Sequence, residues 1–222
     1  MNNTRSSSYV FIGSGGHSSV LAEIIQKLNK DVCCLVTLTP PDNNGIFSKT
    51  EFLSDNDFIK KYDKKDIILV NGIGQVPYKR TREDIYKKYT DLGYKFGEII
   101  SPSAIISPYS LLDAGVQILT GAIIQYGAKI GSNSIVNTGA IVEHDSIIGN
   151  NCHIAPGSVI CGGVKIGDST IIGAGATVIQ GVSIGNNCII GAGAVITKDI
   201  SSNNICYPAR VHIEKIISEK MR

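Results

Sequence analysis

Aromatic side chains are scarce in this chain of 222 residues, which contains no tryptophan and only 6% aromatic residues. A core built mainly from large rings is therefore excluded. Glycine is abundant instead, with 24 residues, and isoleucine and valine are prominent among the apolar side chains. This composition favours tightly wound β structure over a helical bundle.

Charge is also in short supply. Only 18% of residues are charged, and the formal net charge is +2. A balance so close to neutral gives no reason to expect nucleic acid or an anionic membrane as a partner. Because 43% of residues are hydrophobic, we expect a packed globular protein, and 222 residues suffice for two small domains.

Signatures of metal binding and secretion are missing as well. The six cysteines form no C-x-x-C pair and no Cys/His cluster with zinc-ligand spacing. The apolar run YVFIG is too short for a signal peptide, and no stretch approaches the roughly 20 apolar residues of a membrane span. We expect a cytoplasmic protein with reduced, structural thiols and no bound metal.

A period of six residues dominates the second half of the chain. Every sixth residue from Ile106 to Ile196 is aliphatic, and the residue four places after each is small in every repeat but the last. This pattern is typical of hexapeptide repeats in a parallel β-helix. IGSNS at 130, IGNNC at 148, IGDST at 166 and IGNNC at 184 add a period of eighteen, which predicts three short faces per coil.

The six-residue register also assigns two cysteines. Aliphatic and small positions both point inward, and Cys152 and Cys188 occupy small positions. We therefore predict that both are packing residues and not nucleophiles. The Gly and Asn residues at the turns suit the positive φ that tight corners require.

The first hundred residues follow a different pattern. Predicted strands at 9–13, 32–38 and 66–72 alternate with predicted helices at 19–28, 54–62 and 78–92, and a last strand at 94–100 leads into the solenoid. This order predicts a small, parallel, Rossmann-like α/β domain. The predicted division is a flexible tail (1–8), the α/β domain (9–100), the β-helix (101–200) and a C-terminal tail (201–222).

Two glycine-rich loops follow strands of the α/β domain. GSGGHSS (13–19) would present backbone N–H groups and a helix N-terminus to an anion such as a phosphate, although a purely structural turn stays open. Its third glycine position is a serine, which argues against a redox dinucleotide. NGIGQ (71–75) follows the third predicted strand. The predicted substrate-binding residues are Gly13, Ser14, Gly15, Gly16, His17, Thr37, Asn71, Gly72 and Gly74.

An acid–imidazole–acid triplet, Glu143-His144-Asp145, occupies slots that hold small or apolar residues in neighbouring coils. These slots point outward or form the corner, so His144 is not a core residue. Histidine suits proton removal near neutral pH, and an adjacent acid can orient the ring. Only one of the two acids can do so easily, and the sequence leaves open which. His153 cannot readily share a face with His144 in one subunit, but the two could meet between subunits.

The IGSGGH loop after a first strand, joined to a hexapeptide solenoid bearing VEHD, resembles the bacterial nucleotide-sugar N-acetyltransferases of glycan biosynthesis, close relatives of the sialic acid O-acetyltransferases. The resemblance covers about residues 9–210. It implies a left-handed β-helix, a homotrimer with active sites between subunits, acetyl-CoA as donor and a nucleotide-linked 4-amino-4,6-dideoxy sugar as acceptor. It also implies His144 as general base and Asp145 as its orienting acid.

The same resemblance implies a cofactor groove. His153 and the backbone N–H of Gly162 correspond to the groups around the thioester carbonyl. The other predicted groove residues are Ala174, Ala192, Pro208, Ala209 and Arg210. The tail CYPAR departs from the family's G-x-P-A-K, and TLTPPDN replaces the acidic pair that is often found after the second strand. The second departure leaves the nucleobase open among uracil, thymine and guanine.

Three alternatives remain at this point. Sialic acid O-acetylation would use the same fold and the same base. A non-catalytic nucleotide-sugar-binding protein would need no base. A metal hydratase would need three convergent histidines, whereas only His144 and His153 lie in the solenoid. The sequence does not identify the sugar, the nucleobase or the pathway.

Overall fold

The computed structural model describes residues 8–208. Residues 1–7 of the predicted N-terminal tail lie outside the described residues, as do the predicted groove residues Ala209 and Arg210. Within residues 8–208, no helix has the length and apolar character needed to cross a membrane.

The N-terminal part is a four-stranded parallel sheet with helices. Its strands pair in the order β3-β2-β1-β4, so the chain changes direction across the sheet between β1 and β4. The elements are β1 (Ser8–Ile12), α1 (Gly16–Lys27), β2 (Val32–Val36), β3 (Glu51–Leu53), α2 (Asp55–Lys61), β4 (Ile67–Asn71) and α3 (Thr81–Asp91).

The prediction of alternating strands and helices holds for these elements, with one omission. Strand β3 was not predicted from the sequence. It has three residues at the edge of the sheet, and Glu51 and Phe52 are exposed. A strand this short and exposed carries no apolar alternation by which to recognise it.

The second part is a solenoid of two-residue strands, in which each strand from β5 to β18 pairs in parallel with the strand eighteen residues on. The strands are β5 (Ile99–Ile100), β6 (Ile105–Ile106), β7 (Leu111–Leu112), β8 (Gln117–Ile118), β9 (Ile123–Ile124), β10 (Lys129–Ile130), β11 (Ile135–Val136), β12 (Ile141–Val142), β13 (Ile147–Ile148), β14 (His153–Ile154), β15 (Val159–Ile160), β16 (Lys165–Ile166), β17 (Ile171–Ile172), β18 (Thr177–Val178), β19 (Ser183–Ile184), β20 (Ile189–Ile190), β21 (Val195–Ile196) and β22 (Ile205–Cys206).

The solenoid strands form three sheets that enclose one apolar core. The domain-facing sheet comprises β5, β8, β11, β14, β17, β20 and β22, and its first coils pack against α1 and β1. The aliphatic sheet comprises β6, β9, β12, β15, β18 and β21, and its outward positions are Ile105, Ile123, Ile141, Val159, Thr177 and Val195. The lysine sheet comprises β7, β10, β13, β16 and β19, with Lys129 and Lys165 pointing outward.

The predicted thiols lie in the core of the solenoid. Cys152 and Cys188 are buried and share a column with Ser134 and Thr170. Each of these four side chains donates to a backbone carbonyl of the next coil, as Cys152 Sγ does to Gly167 at 3.1 Å. Burial raises the pKa of the Cys152 thiol to about 12. A neutral, enclosed thiol is a packing group, as the register predicted.

The solenoid is longer than its predicted bounds of 101–200. Ile99 and Ile100 already pair with the coil below, through Gln117 and Ile118. At the other end, β22 pairs with β20, although the chain between them breaks the six-residue period. Backbone pairing therefore continues beyond the run of strict repeats at both ends.

Candidate active site

His144 stands at the corner between the aliphatic sheet and the lysine sheet, directly after β12. Asp145 takes a left-handed φ of 58° at this corner, which carries the chain toward β13. Asp145 Oδ2 lies 3.0 Å from His144 Nδ1, and both side chains are more than half exposed. The side chain of Glu143 makes no hydrogen bond within residues 8–208. Of the two acids that the sequence left open, Asp145 is therefore the one that contacts the ring.

The ring of His144 lies over Gly162, which occupies the same corner one coil later. A Cβ built at Gly162 would lie 2.5 Å from His144 Nε2, so any side chain there would displace the imidazole. The backbone N–H of Gly162 donates no hydrogen bond within the described part of the chain. His144 and Gly162 line a cavity of about 350 Å³ together with Gln180 and Gly181. One surface thus offers a proton acceptor next to a free N–H.

His153 has a different setting, on the outer face of the domain-facing sheet. Asn137 Nδ2 lies 3.0 Å from His153 Nε2, while Asn137 Oδ1 accepts from the N–H of Thr138. Since Nδ2 can only donate, Nε2 of His153 is the acceptor and its ring proton is on Nδ1. Burial, with His17 and Arg82 nearby, lowers the pKa of His153 to about 4, so the ring is neutral at neutral pH.

A buried hydrogen-bond network joins the α/β domain to the solenoid beside His153. His17, in the first turn of α1, has Nε2 2.8 Å from Gln117 Oε1. Gln117 Nε2 donates to the carbonyl oxygen of Asn71 at 2.8 Å. Arg82 donates to the same carbonyl at 3.0 Å, and also to the carbonyls of Ile73 and Asn133.

Arg82 is unusual because its guanidinium is 2% exposed and its partners are all carbonyl oxygens. Burial lowers the pKa of Arg82 to about 9, so the group stays charged at neutral pH. No carboxylate pairs with it within residues 8–208. A buried cation paired only with dipoles keeps a positive potential at the domain junction.

The glycine-rich loops meet at the carboxyl edge of the α/β sheet, where β1 and β4 adjoin. Gly13 has φ 94°, and a Cβ there would lie 2.7 Å from Ile73 Cδ1, so close packing of the two loops requires this glycine. A Cβ at Gly15 or Gly16 would meet nothing within 4 Å, and both residues are exposed. Gly15 and Gly16 therefore leave open space at the N-terminus of α1, the position at which anions bind.

The other predicted substrate residues divide between accessible and buried positions. Ser14 Oγ lies 3.3 Å from Thr37 Oγ1 at the rim of a cavity of about 310 Å³, which is also lined by Gly13 and Lys88. Gly74 packs against the Cβ of His17.

Asn71 and Gly72 lie below the glycine-rich loops and not at the open surface. Asn71 is 1% exposed, and its side chain donates to Arg82 and Asn133. Gly72 lies under Ser18, which donates to its carbonyl. Their polar groups are occupied within the protein, so these two residues support the loop from below, and their part in substrate binding stays a prediction.

The two solenoid histidines belong to the same coil but lie on different sides of it. His144 marks one border of the aliphatic sheet. The opposite border is the corner after the domain-facing sheet, where Ala174 and Ala192 are exposed one coil apart, and Pro208 packs beneath Gly191. His153 lies on the domain-facing sheet beside that second corner. A single chain therefore does not bring His144 and His153 together, as the sequence predicted.

Sequence reasoning missed Gln117, Arg82, Asn133 and Asn137. Gln117 carried a weak signal, since it is a polar residue in an outward column whose next members are Ile135 and His153. Arg82 carried none, because it is one of several basic residues around α3 and only the packing buries it. Residues 8–208 contain no group of three or more metal-binding side chains arranged around a common point.

Comparison with known proteins first identifies the class of the solenoid. The family described as bacterial transferase hexapeptide (six repeats) matches residues 127–162 and 163–198. No curated protein sequence matches the chain. Solved structures match almost its whole length.

Perosamine N-acetyltransferase from Caulobacter crescentus, solved as a histidine variant with CoA and GDP-perosamine, is 32% identical. The match covers 93% of this chain and 97% of the relative, with a TM-score of 0.81. The acetyltransferase domain of PglB from Neisseria gonorrhoeae FA1090 is 28% identical over 90% of this chain and 96% of that domain, with a TM-score of 0.80. The same domain has also been solved with acetyl coenzyme A.

These matches show that the chain belongs to the hexapeptide-repeat nucleotide-sugar N-acetyltransferase family. It is an acetyltransferase. The predicted fold, an α/β domain followed by a left-handed β-helix of hexapeptide repeats, is confirmed.

Proposed function

We propose that the protein transfers an acetyl group from acetyl-CoA to the 4-amino group of a nucleotide-linked 4-amino-4,6-dideoxy sugar. The observation that carries this proposal is His144, whose Nδ1 contacts Asp145 and whose ring lies against Gly162, a residue whose N–H donates no hydrogen bond within residues 8–208. Support for the acceptor class comes from relatives that include a perosamine N-acetyltransferase solved with CoA and GDP-perosamine. The open space at Gly15 and Gly16 suits the diphosphate of such a substrate.

The proposed mechanism is direct attack of the sugar amine on the thioester carbonyl. His144 Nε2 accepts a proton from the amine as the C–N bond forms, and Asp145 stabilises the resulting imidazolium. The N–H of Gly162 and the Nδ1–H of His153 donate to the oxygen on which negative charge develops. The C–S bond then breaks, and His144 returns its proton to the departing thiolate, so the enzyme forms no covalent intermediate.

The proposed active site requires a second subunit. The aliphatic sheet has isoleucine, valine and threonine at every outward position, with Ile105 66% and Val195 64% exposed. No described part of the chain covers this sheet, whereas the lysine sheet carries charges suited to water. Three chains that turn their aliphatic sheets toward a common axis would bury them. The His144 corner of one subunit would then adjoin the Ala174 corner and His153 of the next.

The activity is tested by release of free CoA from acetyl-CoA with UDP-, dTDP- and GDP-linked 4-amino-4,6-dideoxy sugars and with sialic acid. We expect turnover with at least one nucleotide-linked amino sugar, and mass spectrometry should locate the acetyl group on nitrogen. Turnover with sialic acid alone, or with none of these acceptors, would refute the proposed function.

The shared site is tested by mixing two inactive variants, His144→Ala and His153→Ala, under conditions in which subunits exchange. If each site takes one histidine from each of two neighbours, random assembly regenerates about a quarter of the sites. Sites built within one chain would recover no activity. Ile141→Asp on the aliphatic sheet should also give monomers by light scattering, whereas Ile147→Asp on the lysine sheet should not.

A further inference from the structure

The network beside His153 determines which ring nitrogen of His17 carries a proton. The carbonyl oxygen of Asn71 can only accept hydrogen bonds, and Gln117 lies 2.8 Å from it. The amide NH₂ of Gln117 must therefore face Asn71, so its Oε1 faces His17. Arg82 binds the same carbonyl from α3 and also holds Ile73 and Asn133. The orientation of the Gln117 amide is thus fixed, because the Asn71 carbonyl can only accept and the Arg82 guanidinium can only donate hydrogen bonds.

The consequence for His17 follows from the 2.8 Å contact between its Nε2 and Gln117 Oε1. An amide oxygen is an acceptor, so Nε2 must donate and therefore carries a proton. In a neutral ring, Nδ1 then holds a lone pair. Nδ1 makes no hydrogen bond within residues 8–208 and is not among the buried polar atoms that lack one. It is the ring atom left for a ligand.

The surroundings of His17 favour the neutral ring. The charged and titratable groups that act on it are the Arg82 cation and the His153 ring, and neither is an anion. Burial, followed by Arg82, lowers the pKa of His17 to about 4, against a smaller opposite effect of Gln117. A doubly protonated His17 would place a second cation beside Arg82 without a carboxylate to offset it.

We propose that Gln117 is a positioning residue that holds His17 as the neutral tautomer protonated on Nε2, so that His17 accepts a hydrogen bond from its ligand through Nδ1. His17 then recognises an O–H or N–H donor and does not donate to a phosphate oxygen. This assignment rests on the proposed function: the donor is a hydroxyl or amine of the bound sugar. The phosphates are then bound by the backbone N–H groups at Gly15 and Gly16.

The test is long-range ¹H–¹⁵N NMR of the histidine rings in ¹⁵N-labelled full-length protein. The chain has only four histidines, and His17→Gln identifies the signals of His17 by their loss. We expect a protonated Nε2 and an unprotonated Nδ1 at pH 7, persisting to about pH 5. UDP and GDP, added as diphosphate probes, should leave that pattern unchanged. A proton on Nδ1 at pH 7, or an imidazolium formed when either nucleotide is added, would overturn the proposal.

Two variants test the part assigned to Gln117. Gln117→Glu replaces the amide oxygen by a carboxylate of the same shape, so the pKa of His17 should rise by at least one unit. Gln117→Leu removes the acceptor, so the two neutral tautomers of His17 should mix. Gln26→Glu, which adds the same charge on the exposed side of α1, should change neither signal. If His17 keeps its wild-type tautomer and pKa in both Gln117 variants, Gln117 does not position it, whatever the enzyme acetylates.

Discussion

The histidines of this protein occupy two environments that differ in exposure and in neighbouring charge. His144 stands on an outer corner of the solenoid with its side chain 63% exposed and a carboxylate 3.0 Å away. His17 and His153 lie between the α/β domain and the solenoid, near the cation of Arg82 and without an adjacent carboxylate.

The contrast shows that environment, and not residue type, divides the roles of these rings. A ring with an acid on one nitrogen and open space at the other can gain a proton and lose it again. A partly buried ring beside a cation stays neutral and acts through fixed hydrogen bonds. We therefore expect His144 to accept and return the proton, and His17 and His153 to act through fixed hydrogen bonds without changing their charge.

The largest effect should come from removing the exposed ring. His144→Ala should lower kcat/KM by about 10²–10⁴, the usual contribution of a general base, with little change in melting temperature because the ring is exposed. Steady-state CoA release and thermal unfolding measure the two quantities. Lys129→Ala, at an exposed outward position of the lysine sheet, is the control and should change neither. Unimpaired turnover by His144→Ala would remove the difference in role between the two settings.

The next effect concerns Arg82, the buried cation near His17 and His153. Arg82→Met leaves carbonyl oxygens of Ile73 and Asn133 without their donor in a buried site, so the free energy of unfolding should fall by about 2–4 kcal/mol. Chemical denaturation measures this loss. Arg80→Met is a matched control, since Arg80 is exposed and its surface pair with Glu83 contributes little to stability. Equal losses in the two variants would show that burial of Arg82 contributes nothing.

A smaller effect appears as pH dependence of stability. The pKa of His17 and that of His153 are lowered from 6.5 to about 4, mainly by burial. Between those values the unfolded chain binds protons that the folded chain does not, so stability falls as pH falls from about 6.5 to 4. We expect roughly 1–2 kcal/mol per histidine to be lost between pH 7 and pH 5, measured by denaturant titration.

Two sets of variants assign that pH dependence. Replacing both buried rings, in His17→Gln/His153→Gln, should remove most of the slope of stability against pH. Lys129→Gln, at an exposed outward position of the lysine sheet, is the control and should leave the slope in place. If the double variant keeps the wild-type slope, His17 and His153 are not its source.

The smallest effect is expected inside the coils. Cys152→Ser should change stability by no more than about 1 kcal/mol and should leave turnover intact, because Ser134 makes the equivalent hydrogen bond one coil earlier. Denaturation and CoA release check this. A loss of activity comparable with that of His144→Ala would mean that the thiol takes part in the reaction.

The sequence predicted the features that repeat or that follow local rules. The aliphatic register located the coils from Ile106 to Ile196, and the position of His144 within that register placed it outside the core. The coarse α/β pattern located three of the four N-terminal strands and all three helices, with helix α1 starting three residues earlier than predicted.

The features that it could not predict depend on contacts between distant parts of the chain. Arg82 and Asn133 are 51 residues apart, and His17 and Gln117 are 100 apart. Nothing in the local pattern of α3 marks Arg82 as buried, and nothing near Asn71 shows that its carbonyl has two donors. Periodicity describes how each part folds, but only docking of the two parts reveals which polar groups meet.

The eighteen-residue repeat fixes the distance between equivalent residues along the solenoid. Neighbouring strands lie about 4.8 Å apart, so the three steps from His153 through Ile171 and Ile189 to Ile205 measure about 14 Å. Gain or loss of one whole coil would change that length by one strand spacing and would leave every side chain pointing in the same direction. Within the strict repeats, any other insertion that is absorbed into the coils would rotate the residues beyond it to another face, so the groove changes length there by whole coils. The last coil departs from this rule, since Ile205 pairs with Ile189 after sixteen residues.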